Sequence, residues 1–206
     1  MLEIIGRRTS GNVMKVLWAA DELGLAYTQR DVGGPFGGND SAEFRALNPN
    51  GLVPVVDDDG IVIWESNAIV RHLAARYGYG TLCPADLGRR ALADQWMDWQ
   101  QTTVGPMITP IFWGLVRTPP EKRDQAAIAR AIRLGHDVWG LLDRYLARQP
   151  FVAGEDFSMG DIPLGPHAHR WFKLVDERPA MPHLEAWYGR LTERPAFRRH
   201  CMNAIV

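Results

Sequence analysis

The feature that most constrains the fold is a hairpin that begins with a proline and runs directly into a helix. Val55 and Val56, and then Ile61–Trp64, are β-branched and apolar runs that predict two short strands. The acidic turn between them ends at Gly60, which can adopt the positive φ that a tight turn needs. Pro54 has no amide hydrogen to donate, so it must lie at the first residue of its strand or beside a bend. The sequence therefore places a bent strand edge shortly before a helix start.

The same segment has two features that suit a small anionic peptide. The Val53–Pro54 bond could be trans, as most X-Pro bonds are, or cis. A cis bond would turn the backbone N–H and C=O of Val53 toward an extended peptide laid alongside. Glu65 and Ser66 begin the following helix, where free N–H groups and the helix dipole favour a bound carboxylate. The sequence thus predicts a peptide-pairing edge beside a carboxylate site.

A Val-Pro pair that opens a hairpin, followed by a Glu-Ser pair that starts a helix, resembles the glutathione-binding domain of cytosolic glutathione transferases. The likeness is to bacterial members with a serine in the first loop (theta-, nu- or beta-like), and it covers essentially the whole chain. It implies an α/β plus all-α fold, with a thioredoxin-like glutathione-binding domain over residues 1–78. A helical bundle over residues 88–206 would contribute the second-substrate pocket. The resemblance also implies glutathione as co-substrate and a homodimer. The alternative interpretation of the motif is an ordinary hairpin followed by a capped helix, with no ligand site.

The resemblance implies that the first loop activates a thiol. Glutathione brings this thiol, whose ordinary pKa is about 8.5, so the protein must favour the thiolate. A hydrogen-bond donor and a helix N-terminus behind the sulfur can both do so. The loop contains no Tyr or Cys, and Ser10 falls where serine-type members keep their hydroxyl. We therefore expect Ser10 and Asn12 to donate to the sulfur, with Thr9 as a competing candidate and an N-cap as the alternative role of Ser10.

The resemblance assigns the rest of the glutathione site to five positions. Glu65 would hold the γ-glutamyl ammonium, and Ser66 would hold the neighbouring carboxylate. Val53, which precedes Pro54, would pair with the cysteinyl backbone. Asn39 would contact the glycyl carboxylate.

One position departs from the family pattern. Leu52 stands where many relatives carry a lysine that would hold the glycyl carboxylate. Arg7, Arg8 or the glycine-rich loop over residues 33–38 would have to take its place.

The second substrate would lie between the two domains, against the start of the helical one. Apolar side chains that could line this pocket are Met107, Ile111, Trp113, Trp171 and Phe172. Each of them could instead belong to the helical core. The identity of the electrophile does not follow from the sequence.

Two capping boxes predict helix starts in the second half of the chain. Thr118 and Glu121 predict a helix that runs through Tyr145. Ser158 and Asp161 predict the central helix of the second domain, a box that in the family matters for folding rather than catalysis.

Composition narrows the class of protein. A formal charge of −1 gives no basis for nucleic-acid binding. Cys83 and Cys201 are far apart in sequence, which fits a reducing compartment. No signal peptide is recognisable, and the apolar run over residues 104–116 is too short to cross a bilayer. His167 and His169 are two residues apart and point to different faces of a helix. We expect a cytoplasmic protein with no membrane partner, nucleic-acid partner or metal.

The leading hypothesis is a glutathione transferase that serves detoxification and directs the thiolate of bound glutathione to an electrophilic carbon. A glutathione-dependent disulfide reductase is the rival, because Ser10-Gly11-Asn12 resembles the Thr/Ser-x-Asn loop of such bacterial members. A non-catalytic interaction module of the same fold is the third possibility, although such modules often lose the hydroxyl and the Glu-Ser pair. The chain has no Cys-x-x-Cys, which excludes a dithiol oxidoreductase, and no Ser-Ser-Cys loop of the isomerase type.

Overall fold

The N-terminal part of the chain folds around a four-stranded sheet in the computed structural model, which describes residues 1–203 and 205. The strands are β1 (Leu2–Ile5), β2 (Tyr27–Arg30), β3 (Val55–Asp58) and β4 (Ile61–Trp64). Their order is β2–β1–β3–β4, with β1 parallel to β2 and antiparallel to β3, and with β3 antiparallel to β4. The parallel pair needs a crossover, which the first helix supplies.

Three helices cover this sheet. They are α1 (Gly11–Glu22), α2 (Ala42–Leu47) and α3 (Ser66–Tyr77). Apolar residues of α1 and α3 pack on one face of the sheet, together with Ile4 and Val56. On the other face, Phe44 of α2 packs with Ile5 and Val55. Both faces of the sheet are therefore covered, and the N-terminal ends of α1 and α3 line one cleft.

The hairpin that joins β3 to β4 has the local geometry that its sequence favours. Asp59 and Gly60 form the turn with φ of 55° and 88°. Val55 pairs opposite Trp64. Of the two isomers that the sequence leaves open, the bond between Val53 and Pro54 has the cis form.

The remainder of the chain is helical. The helices are α4 (Leu87–Trp99), α5 (Gly105–Phe112), α6 (Gln125–Leu146), α7 (Gly165–Leu174), α8 (Pro182–Glu193) and α9 (Pro195–Cys201). Wider π-helical turns, Gln100–Val104 and Trp113–Arg117, flank α5. Trp18 of α1 inserts into this helical part, with its ring 4.8 Å from that of Phe197 and 5.4 Å from that of Phe157. The largest core cluster is therefore continuous from the helical part into α1 and α3.

Neither capping box begins a helix, so the two helix starts predicted from them were wrong. Beyond the box at Thr118 a short 3-10 turn forms, and α6 begins only at Gln125, where Asp124 accepts a hydrogen bond from the backbone N–H of Ala127 at 2.8 Å. Beyond the Ser158 box the chain makes further turns, and α7 begins at Gly165. A capping sequence specifies a turn of backbone, but tertiary packing decides whether a helix continues from it.

A sheet with helices followed by a helical region is the fold class that the sequence predicts, and it is confirmed. The last helix of the sheet region ends at Tyr77, and the next begins at Leu87. The domain ranges 1–78 and 88–206 stay a prediction. Of the helices that the structure describes, none combines the length and the apolar character that a membrane span requires.

Candidate active site

An open cleft of about 450 Å³ lies between the starts of α1 and α3 on one side and α5 and α7 on the other. Part of the predicted site comes together there. The predicted residues that line the cleft are Thr9, Ser10, Asn12, Glu65, Ser66 and Trp113.

Ser10 is positioned by the turn that connects β1 to α1. It is the N-cap residue of α1, with φ of −76° and ψ of 124°. Its backbone N–H donates to the carbonyl of Arg7 at 3.1 Å, which fixes the loop. Its side chain makes no capping hydrogen bond, so the hydroxyl is not committed to the helix. Ser10 thus occupies the cap position but does not make the usual capping hydrogen bond. Its hydroxyl lies beside the free N–H groups of the helix start and is available to a ligand.

The start of α3 is joined to the start of α1 by a side-chain contact. Ser66 is buried, and its hydroxyl donates to Oδ1 of Asn12 at 3.4 Å. Glu65, the N-cap of α3, has a φ of 71°, in the left-handed region that residues other than glycine rarely adopt. Its carboxylate is exposed in the cleft and accepts from Nε2 of Gln101 at 3.4 Å. Such backbone strain is often found where a side chain is held for function.

Sequence reasoning missed Lys15, which lies beneath this junction. Its ammonium is buried and donates to Oε1 of Gln100 at 2.8 Å, and to Oγ of Ser66 and Oδ1 of Asn67 at 3.3 Å each. Burial, reinforced by the positive charge of Arg170, lowers the pKa of Lys15 to about 7. A signal was present, because Lys15 is the one charged residue in an otherwise apolar stretch of α1, residues 13–20, and a buried charge needs partners.

The polar contacts of Lys15 extend to α7 through a neutral histidine. Nε2 of Gln100 lies 3.5 Å from Nε2 of His167, while Nδ1 of His167 lies 3.0 Å from the carbonyl of Pro163. Burial and the charges of Lys15 and Arg170 hold the pKa of His167 well below its usual range. Among residues 1–203 and 205, no group of three His, Cys, Asp or Glu side chains is placed to hold a metal ion.

Two arginines that sequence reasoning did not place in the second-substrate region also line the cleft. The guanidinium carbon of Arg170 lies 4.1 Å from the centre of the Phe112 ring. A Cβ at Gly11 would lie 3.1 Å from the same guanidinium, so the glycine permits this close approach. Burial, followed by the charges of Arg117 and Arg7, lowers the pKa of Arg170 to about 10. Arg117, the second of them, lies with its guanidinium carbon 5.6 Å from the same Phe112 ring.

Most of the predicted second-substrate residues lie elsewhere. Met107, Ile111 and Trp171 are at most 1% exposed and belong to the helical core, so their assignment to the pocket was wrong. Phe172 stacks on Tyr188 instead of lining the cleft. Trp113 is 59% exposed and does line it. Other helical residues on the cleft wall are Pro106, Thr109 and Phe112. The helices are apolar on more than one face, and sequence periodicity does not tell which face meets the cleft.

Val53 and Pro54, which the sequence predicts to pair with a peptide, are not among the residues that line the cleft. Val53 packs against Gly6 and Gly33, and Pro54 is buried. The side-chain amide of Asn39 donates to the carbonyl of Gly51 at 3.0 Å, so the structure gives it a role in holding the loop.

The position of the missing lysine is solvent-facing. Leu52 is 63% exposed, and its apolar side chain supplies no cation there. The side chain of Arg7 instead runs along the glycine-rich loop, where a Cβ at Gly34 would lie 2.9 Å from its Nε.

Comparison with known families gives two matches along the chain. Residues 4–81 match the glutathione S-transferase N-terminal domain, and residues 125–190 match the glutathione S-transferase C-terminal domain.

Comparison with individual proteins gives relatives of two kinds. The chain is 45% identical over 199 residues to glutathione S-transferase GstB of Escherichia coli (strain K12), a match that covers 88% of this chain and 96% of that protein. It is 29% identical over 168 residues to disulfide-bond oxidoreductase YghU of the same organism, covering 68% of this chain and 57% of that one. Among solved structures, the theta class glutathione S-transferase from Xanthomonas axonopodis pv. citri with glutathione bound is similar at 51% identity. Its TM-score is 0.96, and the match covers 100% of this chain and 99% of the other.

Proposed function

The chain belongs to the glutathione S-transferase family, and we propose that it binds glutathione between Ser10 and the start of α3 and directs the thiolate to an electrophilic carbon. The observation that carries this proposal is the Ser10 hydroxyl. It lies at the N-terminus of α1, makes no capping bond, and lines the same cleft as Glu65 and Ser66.

Activation of the sulfur is assigned to the first loop. The hydroxyl of Ser10 donates a hydrogen bond to sulfur, and the N-terminal turn of α1 adds a positive potential, so both favour the thiolate over the thiol. Asn12 is a second donor through its side-chain amide, and the Thr9 hydroxyl is the competing candidate. With the thiol pKa lowered from about 8.5, a larger fraction of bound glutathione is nucleophilic at neutral pH.

Binding of the γ-glutamyl end is assigned to the start of α3. Glu65 accepts from the ammonium, and the hydroxyl and backbone N–H of Ser66 donate to the carboxylate. Lys15 lies 3.3 Å from the Ser66 hydroxyl and adds a positive charge behind it. Val53 pairs with the cysteinyl backbone ahead of Pro54, and Asn39 remains a candidate for the glycyl end.

The test is a conjugation assay with glutathione and 1-chloro-2,4-dinitrobenzene. We expect the dinitrophenyl thioether to form well above the uncatalysed rate, and we expect calorimetry to detect glutathione binding to the free protein. Binding without turnover, for this and for other electrophiles, would favour the non-catalytic module. If the protein shows no glutathione binding and no turnover, the proposal is overturned.

A glutathione-dependent disulfide reductase is the second candidate, because YghU is among the relatives and the Ser10–Asn12 loop is of the type described above. Two glutathione molecules would reduce one disulfide, which yields oxidised glutathione and two thiols. The assay is reduction of 2-hydroxyethyl disulfide. A kcat/KM greater than that for 1-chloro-2,4-dinitrobenzene would make reduction the main activity.

A homodimer in the cytoplasm is also proposed. Exposed apolar side chains on the edge strand β4 and at the end of α3 support the dimer, namely those of Ile61, Trp64 and Tyr77. Light scattering after size exclusion should give twice the 23.2 kDa chain mass. A single chain mass would exclude the dimer, and cell fractionation tests the location.

A further inference from the structure

The cleft carries an excess of positive charge. Arg7, Lys15 and Arg170 line it, and among the described lining residues Glu65 is the one carboxylate. Like charges that are partly removed from water repel one another, and this cost is relieved by a bound anion.

Arg170 is the cation with the clearest relation to the reacting region. It reaches from α7 to Gly11, the residue after Ser10, and rests on the ring of Phe112. No hydrogen bond or ion pair joins its guanidinium to any of residues 1–203 or 205. Stacking on an aromatic ring leaves the edge of a guanidinium, with its N–H donors, free for an anion.

Glutathione accounts for part of this charge under the proposed function, on which the inference rests. Its ammonium lies near Glu65 and its γ-glutamyl carboxylate near Ser66 and Lys15. Arg7 runs beside the glycine-rich loop that contacts Val53, which suits the glycyl carboxylate. The side chain of Arg7 lines the cleft, and its Nε has no hydrogen-bond partner among the described residues.

Arg170 then remains on the helical side, where the second substrate would enter. The helical wall of the cleft includes the rings of Phe112 and Trp113, so a flat apolar body can lie next to the cation. We propose that the cleft selects electrophiles that carry a carboxylate or sulfonate, with Arg170 as the residue that binds this anionic group.

The reaction itself is unchanged by this selectivity. With an aryl chloride, the glutathione sulfur forms a bond to the carbon that bears chlorine. The carbon–chlorine bond breaks and chloride leaves with the bonding pair, while the thiol proton goes to solvent. Arg170 takes no part in these bonds and acts by holding the substrate's anionic end.

The test compares two electrophiles that share a reactive centre. One is 4-chloro-3,5-dinitrobenzoate, and the other is its uncharged carboxamide. With the enzyme-catalysed rates corrected for the uncatalysed ones, we expect the wild-type kcat/KM to be at least about tenfold higher for the benzoate, the size of one charge-assisted hydrogen bond. A ratio near one, with good turnover of the carboxamide, would overturn the inference and leave the proposed function standing. Inactivity toward both compounds and toward 1-chloro-2,4-dinitrobenzene would remove the proposed function, and the inference with it.

Variants then locate the anion site. Arg170→Gln should reduce the benzoate-to-carboxamide ratio by at least about tenfold, through KM for the benzoate, and Arg170→Lys should restore part of it. Arg130→Gln, an exposed arginine on α6 outside the cleft, is the control for net charge. If Arg170→Gln lowers both rates equally, the residue serves glutathione or its thiolate, and the assignment is wrong. If that variant does not fold, preferential competitive inhibition of the wild-type enzyme by benzenesulfonate over benzenesulfonamide decides the matter, and equal inhibition counts against the inference.

Discussion

Two polar clusters in this protein each surround one buried charged side chain, but only one of them opens into the cleft. In the helical part, the carboxylate of Asp161 accepts from the backbone N–H groups of Val152 and Ser158 at 3.0 Å each and from Nε1 of Trp187 at 2.9 Å. In the sheet part, the ammonium of Lys15 donates to three neutral side-chain oxygens, and its cluster opens into the cleft.

The difference is the one expected between a cluster that serves folding and a cluster that belongs to the proposed binding site. The donors around Asp161 come from separate segments, so the carboxylate ties these segments together and leaves little for a ligand to add. Around Lys15 the charge is solvated by the protein but not neutralised in hydrogen-bond contact, and the cleft beside it holds further cations. The closed cluster around Asp161 stabilises the fold, whereas the open cluster around Lys15 keeps a buried positive charge that an anionic ligand can neutralise.

The largest effect should come from breaking the closed cluster. Asp161→Ala leaves several buried N–H donors without acceptors, which should lower the free energy of unfolding by about 3–5 kcal/mol. Urea unfolding at fixed protein concentration measures it. Asp156→Ala removes an exposed aspartate that pairs with Arg89 and should cost less than about 1 kcal/mol. Reduced turnover of the folded Asp161 variant, without a stability loss, would contradict the division between the clusters.

The next effect concerns the open cluster and glutathione itself. The double variant Glu65→Gln, Ser66→Ala removes groups proposed for both charges of the γ-glutamyl end. Two charge-assisted hydrogen bonds of about 1.5–3 kcal/mol each predict a rise of at least roughly 100-fold in the Kd for glutathione. Calorimetry gives the value, with the exposed Glu121→Gln as control. An unchanged Kd would place glutathione elsewhere.

A smaller effect is expected at the sulfur. Ser10→Ala removes one hydrogen bond to the thiolate, worth about 2 kcal/mol, so kcat with 1-chloro-2,4-dinitrobenzene should fall about 30-fold. The apparent pKa in the kcat–pH profile should move toward 8.5, while the Kd for glutathione changes little. Thr9→Val is the matched control. A larger loss in that variant would transfer the donor role to Thr9.

The smallest effect is the pH dependence of the buried ammonium. The pKa of Lys15 is about 7 in the folded protein against its usual value of 10.5. Above pH 7 the unfolded chain therefore binds more protons, so this residue makes stability rise with pH. The wild type minus Lys15→Met difference in free energy of unfolding should increase by about 1 kcal/mol from pH 7 to pH 8.

Two comparisons sharpen this measurement. Exposed Lys122→Met should give a flat difference over the same pH range. Saturating glutathione should flatten the Lys15 difference as well, because a nearby carboxylate favours the protonated ammonium. A flat difference without glutathione would show that the charge is not penalised by burial.

Features that depend on residues close together in the sequence were predictable, whereas features that depend on distant residues were not. The hairpin, the helix start at Glu65 and Ser66, and the cap position of Ser10 are set by neighbours a few residues away, and they were predictable from turn and capping chemistry. Even so, the Thr118 box shows that a capping sequence does not guarantee the helix.

The second-substrate wall was mostly mispredicted for a physical reason. Met107, Ile111 and Trp113 lie within two turns of one another, yet the first two are at most 1% exposed and the third is 59% exposed. Apolar side chains fit both a core and a pocket wall, so composition cannot separate them. The packing partners decide, and these are the side chains of other helices.

By itself, the sequence determined the local features of this site: a bend at Val53 just before β3, a hydroxyl at the cap of one helix and an acid-serine pair at the start of another. Only the tertiary structure decided its charge. Arg170 lies 159 positions after Gly11 in the sequence but meets it in space, and Lys15 meets Gln100 across 85 positions. Electrostatic interaction and burial depend on distance through the folded molecule, which local patterns along the chain do not record.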